Sequence, residues 1–151
     1  MIEIIATGKI PKEYRVLIDD FIKKISPYEK MVLTLFDEVK LKSDDSNLEE
    51  KLKTETKRAI ERAKGKIIFL DADAKNPNSE EFKNIIETSK NVGVTISFVI
   101  GGSYGFDHKM IQSYQKISLG RMTLLHHMAT LFLCEAIYRS YKMMQNGSYN
   151  K

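Results

Sequence analysis

Hydrophobic and polar residues follow one another along this chain with two different periods. Five short segments are rich in apolar residues, as is typical of parallel strands that are buried on both faces. These predicted strands cover residues 2–6, 31–36, 66–71, 94–100 and 116–120. Between them, apolar residues recur every three or four positions, a spacing that predicts helices with one buried face. These predicted helices cover residues 12–25, 46 to about 64, 78 to about 93 and 126 to about 144.

Polar residues mark where several helices begin. A serine or asparagine followed three positions later by a glutamate predicts capping boxes at residues 46–49 and 78–81. Asp107 is a candidate N-cap for a further short helix that ends near Tyr114. The polar segment 37–47 is predicted to be an exposed loop that is too short to separate two domains.

The succession of strands and helices predicts an α/β fold. Parallel strands need crossover connections, and right-handed crossovers place helices on both faces of a sheet. We therefore expect three α/β/α layers around a mainly parallel five-stranded sheet, in a single domain that covers residues 1–151.

Composition limits the classes of function. The chain has 151 residues, of which 42% are hydrophobic and 29% charged, as is ordinary for a soluble domain. The net charge of +4 permits an anionic partner without requiring one. Cys134 is the only cysteine, so an internal disulfide is excluded, and its apolar neighbours predict a buried thiol. Because we find neither a secretory signal nor an apolar run of about 20 residues, we expect a cytoplasmic protein without a membrane partner.

A glycine-rich stretch, FVIGGSYGFDHK at residues 98–109, ends the fourth predicted strand. It lacks the ending of a Walker phosphate loop, and its G-G-x-x-G spacing does not match the dinucleotide fingerprint, which disfavours a dinucleotide oxidoreductase. Two interpretations stay open, a tight strand-to-helix turn and a ligand site. Ligands of open α/β sheets bind beyond the carboxyl ends of strands, where segments 69–75 and 118–127 also lie. The three segments together would form a pocket made mostly of backbone.

Four segments resemble the successive signatures of the RlmH family, also called YbeA-like. They are FLDADAK, FVIGGSYGF, SLGRMTLLHHM and EAIYRSYKMMQNGSY, and the opening IATGKI and the chain length match as well. Members are ribosomal large-subunit pseudouridine N3-methyltransferases of the SPOUT superfamily. The resemblance implies a SPOUT-like C-terminal trefoil knot, a homodimer, and S-adenosyl-L-methionine as methyl donor without a metal. The implied substrate is 23S rRNA within the assembled ribosome, and the alternative is a non-catalytic ribosome-binding or assembly protein that keeps the fold.

The resemblance also assigns residues to a site. The implied donor-binding residues are Leu70, Gly101, Gly102, Leu119, Gly120, Arg121, Met122, Thr123 and Leu124. The implied catalytic residues are Arg139, Tyr149 and Asn150. Because the two adjacent glycines lack a Cβ atom, we expect the donor to lie against their backbone.

The chain departs from the family pattern at three positions. Leu125 and Thr130 stand where members commonly have proline and arginine, and Asn150 stands where they have histidine. Asparagine can donate and accept hydrogen bonds but cannot take up a proton near neutral pH. Gly147 lets the chain leave its last helix, and we expect the tail to fold back toward the donor loop. His126 matches a family histidine beside that loop, whereas the histidine after it is expected to be structural or interfacial.

Overall fold

The computed structural model describes residues 1–41 and 47–146, in which it contains five strands and four helices. In chain order they are β1 (Ile2–Thr7), α1 (Lys12–Ile25), β2 (Met31–Phe36), α2 (Leu48–Arg62), β3 (Lys66–Leu70), α3 (Ser79–Asn91), β4 (Ile96–Ile100), β5 (Gln115–Ile117) and α4 (His126–Asn146). Each of these elements overlaps a segment that the sequence predicted with the same type.

All neighbouring strands pair in parallel, in the order β2-β1-β4-β3-β5. The predicted mainly parallel sheet is thus confirmed, with β1 and β4 near its centre. Ile4 of β1 pairs with Leu33 on one side and with Phe98 on the other. Because every strand runs in the same direction, all five carboxyl ends lie at one edge of the sheet, and the loops that leave them meet there.

Both faces of the sheet are covered, which explains why the strands are rich in apolar residues. Ile4 and Ile5 are both fully buried, yet they face opposite sides because successive side chains of a strand alternate. Ile4 packs in the larger apolar cluster with residues of α1, α3 and α4. Ile5 packs in the smaller cluster with Ala59 of α2 and with Phe106. The predicted three-layer arrangement is therefore confirmed.

The short helix predicted from Asp107 to Tyr114 is wrong, because the segment forms successive turns. The Asp107 carboxylate accepts hydrogen bonds from the backbone N–H groups of Lys109 and Met110, at 3.1 and 3.4 Å. These are the hydrogen bonds of an N-cap, so the predicted cap is present although no helix follows it. Ile111 is fully buried in the smaller cluster, so packing against the sheet determines the path of the segment.

One of the two predicted capping boxes is confirmed. Asn78 Oδ1 accepts a hydrogen bond from the Glu81 N–H at 2.8 Å, and Glu81 Oε1 accepts one from the Asn78 N–H at 3.2 Å. The other prediction involves Ser46, which lies outside the described residues. Helix α2 begins at Leu48, and Asn47 occupies its N-cap position without a side-chain hydrogen bond to the helix.

The buried thiol predicted at Cys134 is confirmed. Its side chain is 0% exposed and belongs to the larger apolar cluster. Burial raises the pKa of the thiol to about 12, with a further contribution from the Asp19 carboxylate. The thiol is therefore protonated at neutral pH and packs as a small apolar group.

Candidate functional site

A cavity of about 600 Å³ opens at the carboxyl edge of the sheet. Most of its lining comes from segment 70–73 after β3, segment 100–106 after β4, and segment 118–126, apart from residue 121, between β5 and α4. The volume is in the range of cavities that hold small molecules. The three segments are the ones that the sequence predicted to lie side by side.

Eight of the nine residues implied to bind the donor line this cavity. They are Leu70, Gly101, Gly102, Leu119, Gly120, Met122, Thr123 and Leu124. Arg121 does not line it, and its side chain is exposed. The fold therefore brings together residues from three separate loops, and their role in donor binding stays a prediction.

The glycine-rich stretch forms a tight turn after β4. The Gly105 N–H donates to the Gly102 carbonyl oxygen at 3.1 Å, and Gly105 has a φ of +77°, in the left-handed region that favours glycine. A Cβ on Gly101 would lie 2.9 Å from the Gly105 carbonyl oxygen. A Cβ on Gly102 would overlap the carboxylate of Glu38. The missing side chains thus leave room for the protein's own atoms, while the expected close approach of the donor to this backbone stays a prediction.

The other two loops of the cavity are tied to each other. The Asp71 N–H donates to the Ile117 carbonyl oxygen at 2.9 Å, and the Ser118 N–H donates to the Lys75 carbonyl oxygen at 3.0 Å. The Ser118 hydroxyl donates to the Gly120 carbonyl oxygen and accepts a hydrogen bond from the Gly120 N–H. Backbone groups and one serine therefore hold this wall of the cavity.

The cavity lining includes an aspartate and histidine pair that sequence reasoning missed, Asp71 and His108. Asp71 Oδ2 and His108 Nδ1 are 3.8 Å apart, and the Asp71 side chain is only 14% exposed. Asp71 Oδ1 also accepts a hydrogen bond from the Asp73 N–H at 3.0 Å. The signal that marks Asp71 in the sequence is its position directly after β3, where loops of an α/β sheet meet their ligands.

The two adjacent histidines have separate surroundings. His126 lines the cavity, and its Nε2 donates to the Lys9 carbonyl oxygen at 2.6 Å, which ties the loop after β1 to the start of α4. The His127 ring centroid is 4.5 Å from that of Tyr14. Burial lowers the pKa of the His127 imidazole, and the neighbouring His126 adds to this effect. Its place against Tyr14 agrees with the expected structural role.

Arg139 lies outside this cavity. It borders a second cavity of about 290 Å³ between the start of α3 and α4, which shares Ser118 and Leu119 with the first. The Arg139 guanidinium donates to Glu135 Oε1 from Nη2 at 2.6 Å and from Nε at 3.1 Å. Pairs of this kind on a helix surface stabilise it modestly. The structure therefore places this predicted catalytic residue beside the candidate donor cavity and not in it.

Two of the three departures from the family pattern lie in the described residues. Leu125 lines the cavity with its side chain 68% exposed. Thr130 is fully buried, and its hydroxyl donates to the His126 carbonyl oxygen one helical turn earlier, at 2.7 Å. Thr130 therefore contributes no polar group to the cavity.

The predicted catalytic residues 149–150 lie outside the described residues, and so does the tail that was expected to fold back toward the donor loop. Near the end of α4, Gln145 Oε1 accepts a hydrogen bond at 3.1 Å from the hydroxyl of Tyr28, which precedes β2 at the opposite edge of the sheet. A rise of about 1.5 Å per residue separates Asn146 from Ala129, the last cavity residue on α4, by about 25 Å. The position of the tail relative to the donor loop therefore stays a prediction.

No group of three or more histidine, cysteine, aspartate or glutamate side chains within residues 1–41 and 47–146 is placed to hold a metal ion. The rings of His126 and His127 are nearly perpendicular, with their centroids 5.2 Å apart. In the same part of the chain, none of the helices combines the length and the apolar character that a membrane crossing requires.

Comparison with known proteins relates the whole chain to one family. A family model described as "Predicted SPOUT methyltransferase" matches residues 1–150. The chain is 35% identical over 153 residues to the ribosomal RNA large subunit methyltransferase H of Mycoplasmopsis pulmonis, with 99% of each chain covered. It is also 35% identical over 156 residues to the protein of that name from Flavobacterium psychrophilum, covering 99% of this chain and 98% of the relative. The crystal structure of a methylase family protein from Neisseria gonorrhoeae has a similar fold, with a TM-score of 0.51 at 11% identity over 97% of this chain and 83% of that one.

Proposed function

Because the chain belongs to the SPOUT methyltransferase family, with full-length relatives among the ribosomal RNA large subunit methyltransferases H, we propose that it methylates N3 of a pseudouridine in 23S rRNA of assembled ribosomes. S-adenosyl-L-methionine would supply the methyl group from its sulfonium centre. The observation that carries the proposal is the cavity in which three loops gather eight of the nine implied donor-binding residues. The proposal includes a trefoil knot in the C-terminal part of the chain and a cytoplasmic location.

The cavity suits the methyl donor in size and in chemistry. Leu70, Leu119 and Leu124 provide apolar surface for a flat adenine ring. The glycine turn, residues 101–105, lets a ligand approach the backbone closely. The Asp71 carboxylate places a negative charge at the cavity, which favours a cationic donor. These groups would bind and orient the donor.

The acceptor nitrogen carries a proton at neutral pH, and this proton must leave when the methyl group arrives. The chain therefore has to hold the base in line with the donor and to stabilise the deprotonated nitrogen. Asn150 can fix the base by hydrogen bonds but cannot accept the proton, so we assign positioning to it and to Tyr149, and release of the proton to water. Arg139 borders the adjoining cavity, where its charge would favour RNA phosphate.

A homodimer would bring the tail to a donor cavity. Helix α4 ends about 25 Å along its axis from Ala129, its last residue at the cavity, which favours action of the tail in the cavity of a second copy. Exposed apolar side chains occur around the cavity mouth and along the start of α4, where they would suit an interface. They are Met122, Leu125, Met128 and Phe132, with exposed fractions of 80, 68, 37 and 48%. The proposed active unit is a dimer with two composite sites, each made of the donor cavity of one chain and the tail of the other.

Native mass measurement at micromolar concentration is expected to give twice the chain mass of 17.4 kDa. Phe132→Glu should shift the protein toward monomer, because it places a charge on the proposed interface. Val92→Glu is the matched control, since Val92 is 67% exposed but lies at the end of α3. A wild-type protein that is only monomeric under these conditions would contradict the composite site.

Methyl transfer to ribosomes tests the proposed reaction directly. Ribosomes from a strain that lacks this modification are incubated with the protein and labelled S-adenosylmethionine, and the modified base is located by mass spectrometry. We expect one methyl group on one pseudouridine of 23S rRNA, and less transfer to naked rRNA than to assembled ribosomes. If the protein binds donor and ribosomes but transfers no methyl group, the non-catalytic alternative is correct.

A further inference from the structure

Helix α2 buries polar side chains in place of apolar ones. Lys51 and Glu55 are each 4% exposed, Thr56 is 1% exposed, and Ala59 completes the buried residues of this helix. Burial of a charged group costs free energy unless the group is paired and hydrogen-bonded. The side chains of Lys51 and Glu55, the buried pair, are 2.9 Å apart, and both bind the loop after β2. Helix α2 therefore holds that loop in place.

The loop after β2 is fixed on both sides of Glu38. The Val39 N–H donates to the Glu55 carboxylate at 2.7 Å, and the Val39 carbonyl oxygen accepts a hydrogen bond from the Lys51 ammonium group at 2.6 Å. On the other side, Arg58 Nη2 donates to the Asp37 carbonyl oxygen at 2.6 Å. These three hydrogen bonds restrict the backbone from which the Glu38 side chain projects.

Glu38 connects this loop to the glycine turn. Its Oε1 accepts a hydrogen bond from the Ser103 N–H at 2.5 Å. Its Cδ and Cγ would lie 3.1 and 3.2 Å from a Cβ on Gly102, so the side chain fills the space beside that glycine. Ser103 and Gly102 line the cavity, whereas Glu38 supports the turn from behind. Beyond the turn, the Asp107 N–H donates to the Thr56 hydroxyl of α2 at 3.0 Å.

The charge of Glu38 strengthens this contact. Burial alone would raise the pKa of its carboxyl group, but the Ser103 hydrogen bond and the charges of Lys51 and His126 lower the pKa below its ordinary value. Glu38 is therefore ionised at neutral pH, and a hydrogen bond to an ionised acceptor is stronger than one between neutral groups.

We propose that Glu38 is a positioning residue for donor binding, because it holds the glycine turn in the shape that walls the cavity. This inference rests on the proposed function, in which the ligand of the turn is the methyl donor. Without the carboxylate, the Ser103 N–H loses its acceptor and the space beside Gly102 is vacant. The turn would then adopt other conformations in part of the molecules. The measured donor affinity would fall in proportion to the fraction of molecules that keep the binding conformation.

The test compares Glu38→Ala and Glu38→Gln with Glu61→Ala, a control on the exposed face of α2, where Glu61 is 67% exposed. Calorimetry with S-adenosylmethionine measures donor affinity. Loss of a charge-assisted hydrogen bond should weaken binding by about tenfold to a hundredfold in Glu38→Ala. Glutamine retains an oxygen acceptor, so Glu38→Gln should weaken binding by less than about tenfold. The control should bind the donor as the wild type does.

Two further measurements separate positioning from general damage. Amide exchange at residue 103, measured without donor, should be faster in Glu38→Ala than in the wild type. In the ribosome assay, the KM for the donor should rise while kcat at saturating donor changes by less than about threefold, since Glu38 touches no reacting atom. Unchanged donor affinity or unchanged exchange in Glu38→Ala would overturn the proposal, and so would an equal loss in Glu61→Ala. A wild-type protein that binds no donor would overturn the proposed function itself, before any variant is compared.

Discussion

Replacing Gly101 with valine is expected to lower the affinity for S-adenosylmethionine by more than about a hundredfold. A Cβ at this position would lie 2.9 Å from the carbonyl oxygen of Gly105 and 3.1 Å from its Cα. Backbone atoms cannot move aside as the end of a flexible side chain can, so the isopropyl group would displace the turn that walls the cavity. Ile100 is the last residue of β4 that pairs in the sheet, and the strand itself should therefore persist.

Calorimetry measures the donor affinity of this variant, and circular dichroism checks its fold. Gly93→Ala is the control, because no atom lies within 4 Å of an added Cβ at Gly93, whose φ is +69°. Alanine in that conformation costs on the order of 1–2 kcal/mol, so the control should lower thermal stability and still bind the donor. Wild-type affinity in Gly101→Val would remove the glycine turn from the site.

Deleting residues 149–151 is expected to eliminate methyl transfer to ribosomes and to leave donor affinity within about twofold of the wild type. The deletion removes Tyr149 and Asn150, which we propose position the RNA base. It leaves the three loops of the cavity intact. The ribosome assay and calorimetry measure the two effects separately. Full methyl transfer by the truncated protein would show that the tail has no part in the reaction.

Mixing two inactive variants tests whether the tail acts in the partner's cavity. Gly101→Val keeps the tail but is expected not to bind the donor. The deletion variant keeps the donor cavity but lacks the tail. In a mixed dimer, one composite site would contain an intact cavity and an intact tail. An equal mixture that exchanges subunits freely should recover roughly a quarter of the wild-type rate. Recovery would support action in the partner's cavity, and no recovery after verified subunit exchange would contradict it.

The substitution Asn150→His separates positioning from proton transfer. If the tail only positions the base, histidine and asparagine provide similar hydrogen bonds, and the rate should change by less than about tenfold. A rate increase of more than about tenfold with histidine, largest above the pKa of that histidine, would show that the residue at position 150 accepts the proton.

Local patterns predicted the strands and most helices well, for a physical reason visible at Ile4 and Ile5. Both must be apolar because a central parallel strand is buried on both faces, so the pattern alone reveals the environment. The prediction failed for the segment from Asp107 to Tyr114, where a capping carboxylate is present but turns and burial of Ile111 replace the helix. A cap indicates where a helix can begin, and packing decides whether it continues.

The candidate site was predicted in part for a similar reason. Parallel strands place their following loops at one edge, so the meeting of the three cavity segments could be anticipated, while the individual donor residues came from the family resemblance. Asp71 and His108 were missed because they follow different strands, and nothing in their local sequence relates one to the other. The sequence did not reveal the neighbours of the glycine pair's missing side chains, Gly105 and Glu38, because these contacts are known only from the fold.

By itself, the sequence determined the types and order of most elements, the parallel sheet, and the edge at which a ligand site would form, because these depend on periodicity along the chain. Only the tertiary structure decided that Glu38 supports a turn 65 residues away, through a loop that the buried pair of α2 holds. It alone showed that α4 leads away from the cavity and that its last turn is bound to Tyr28. The physical reason is that such contacts depend on how elements pack in space, and residues distant in sequence carry no local signal of their proximity.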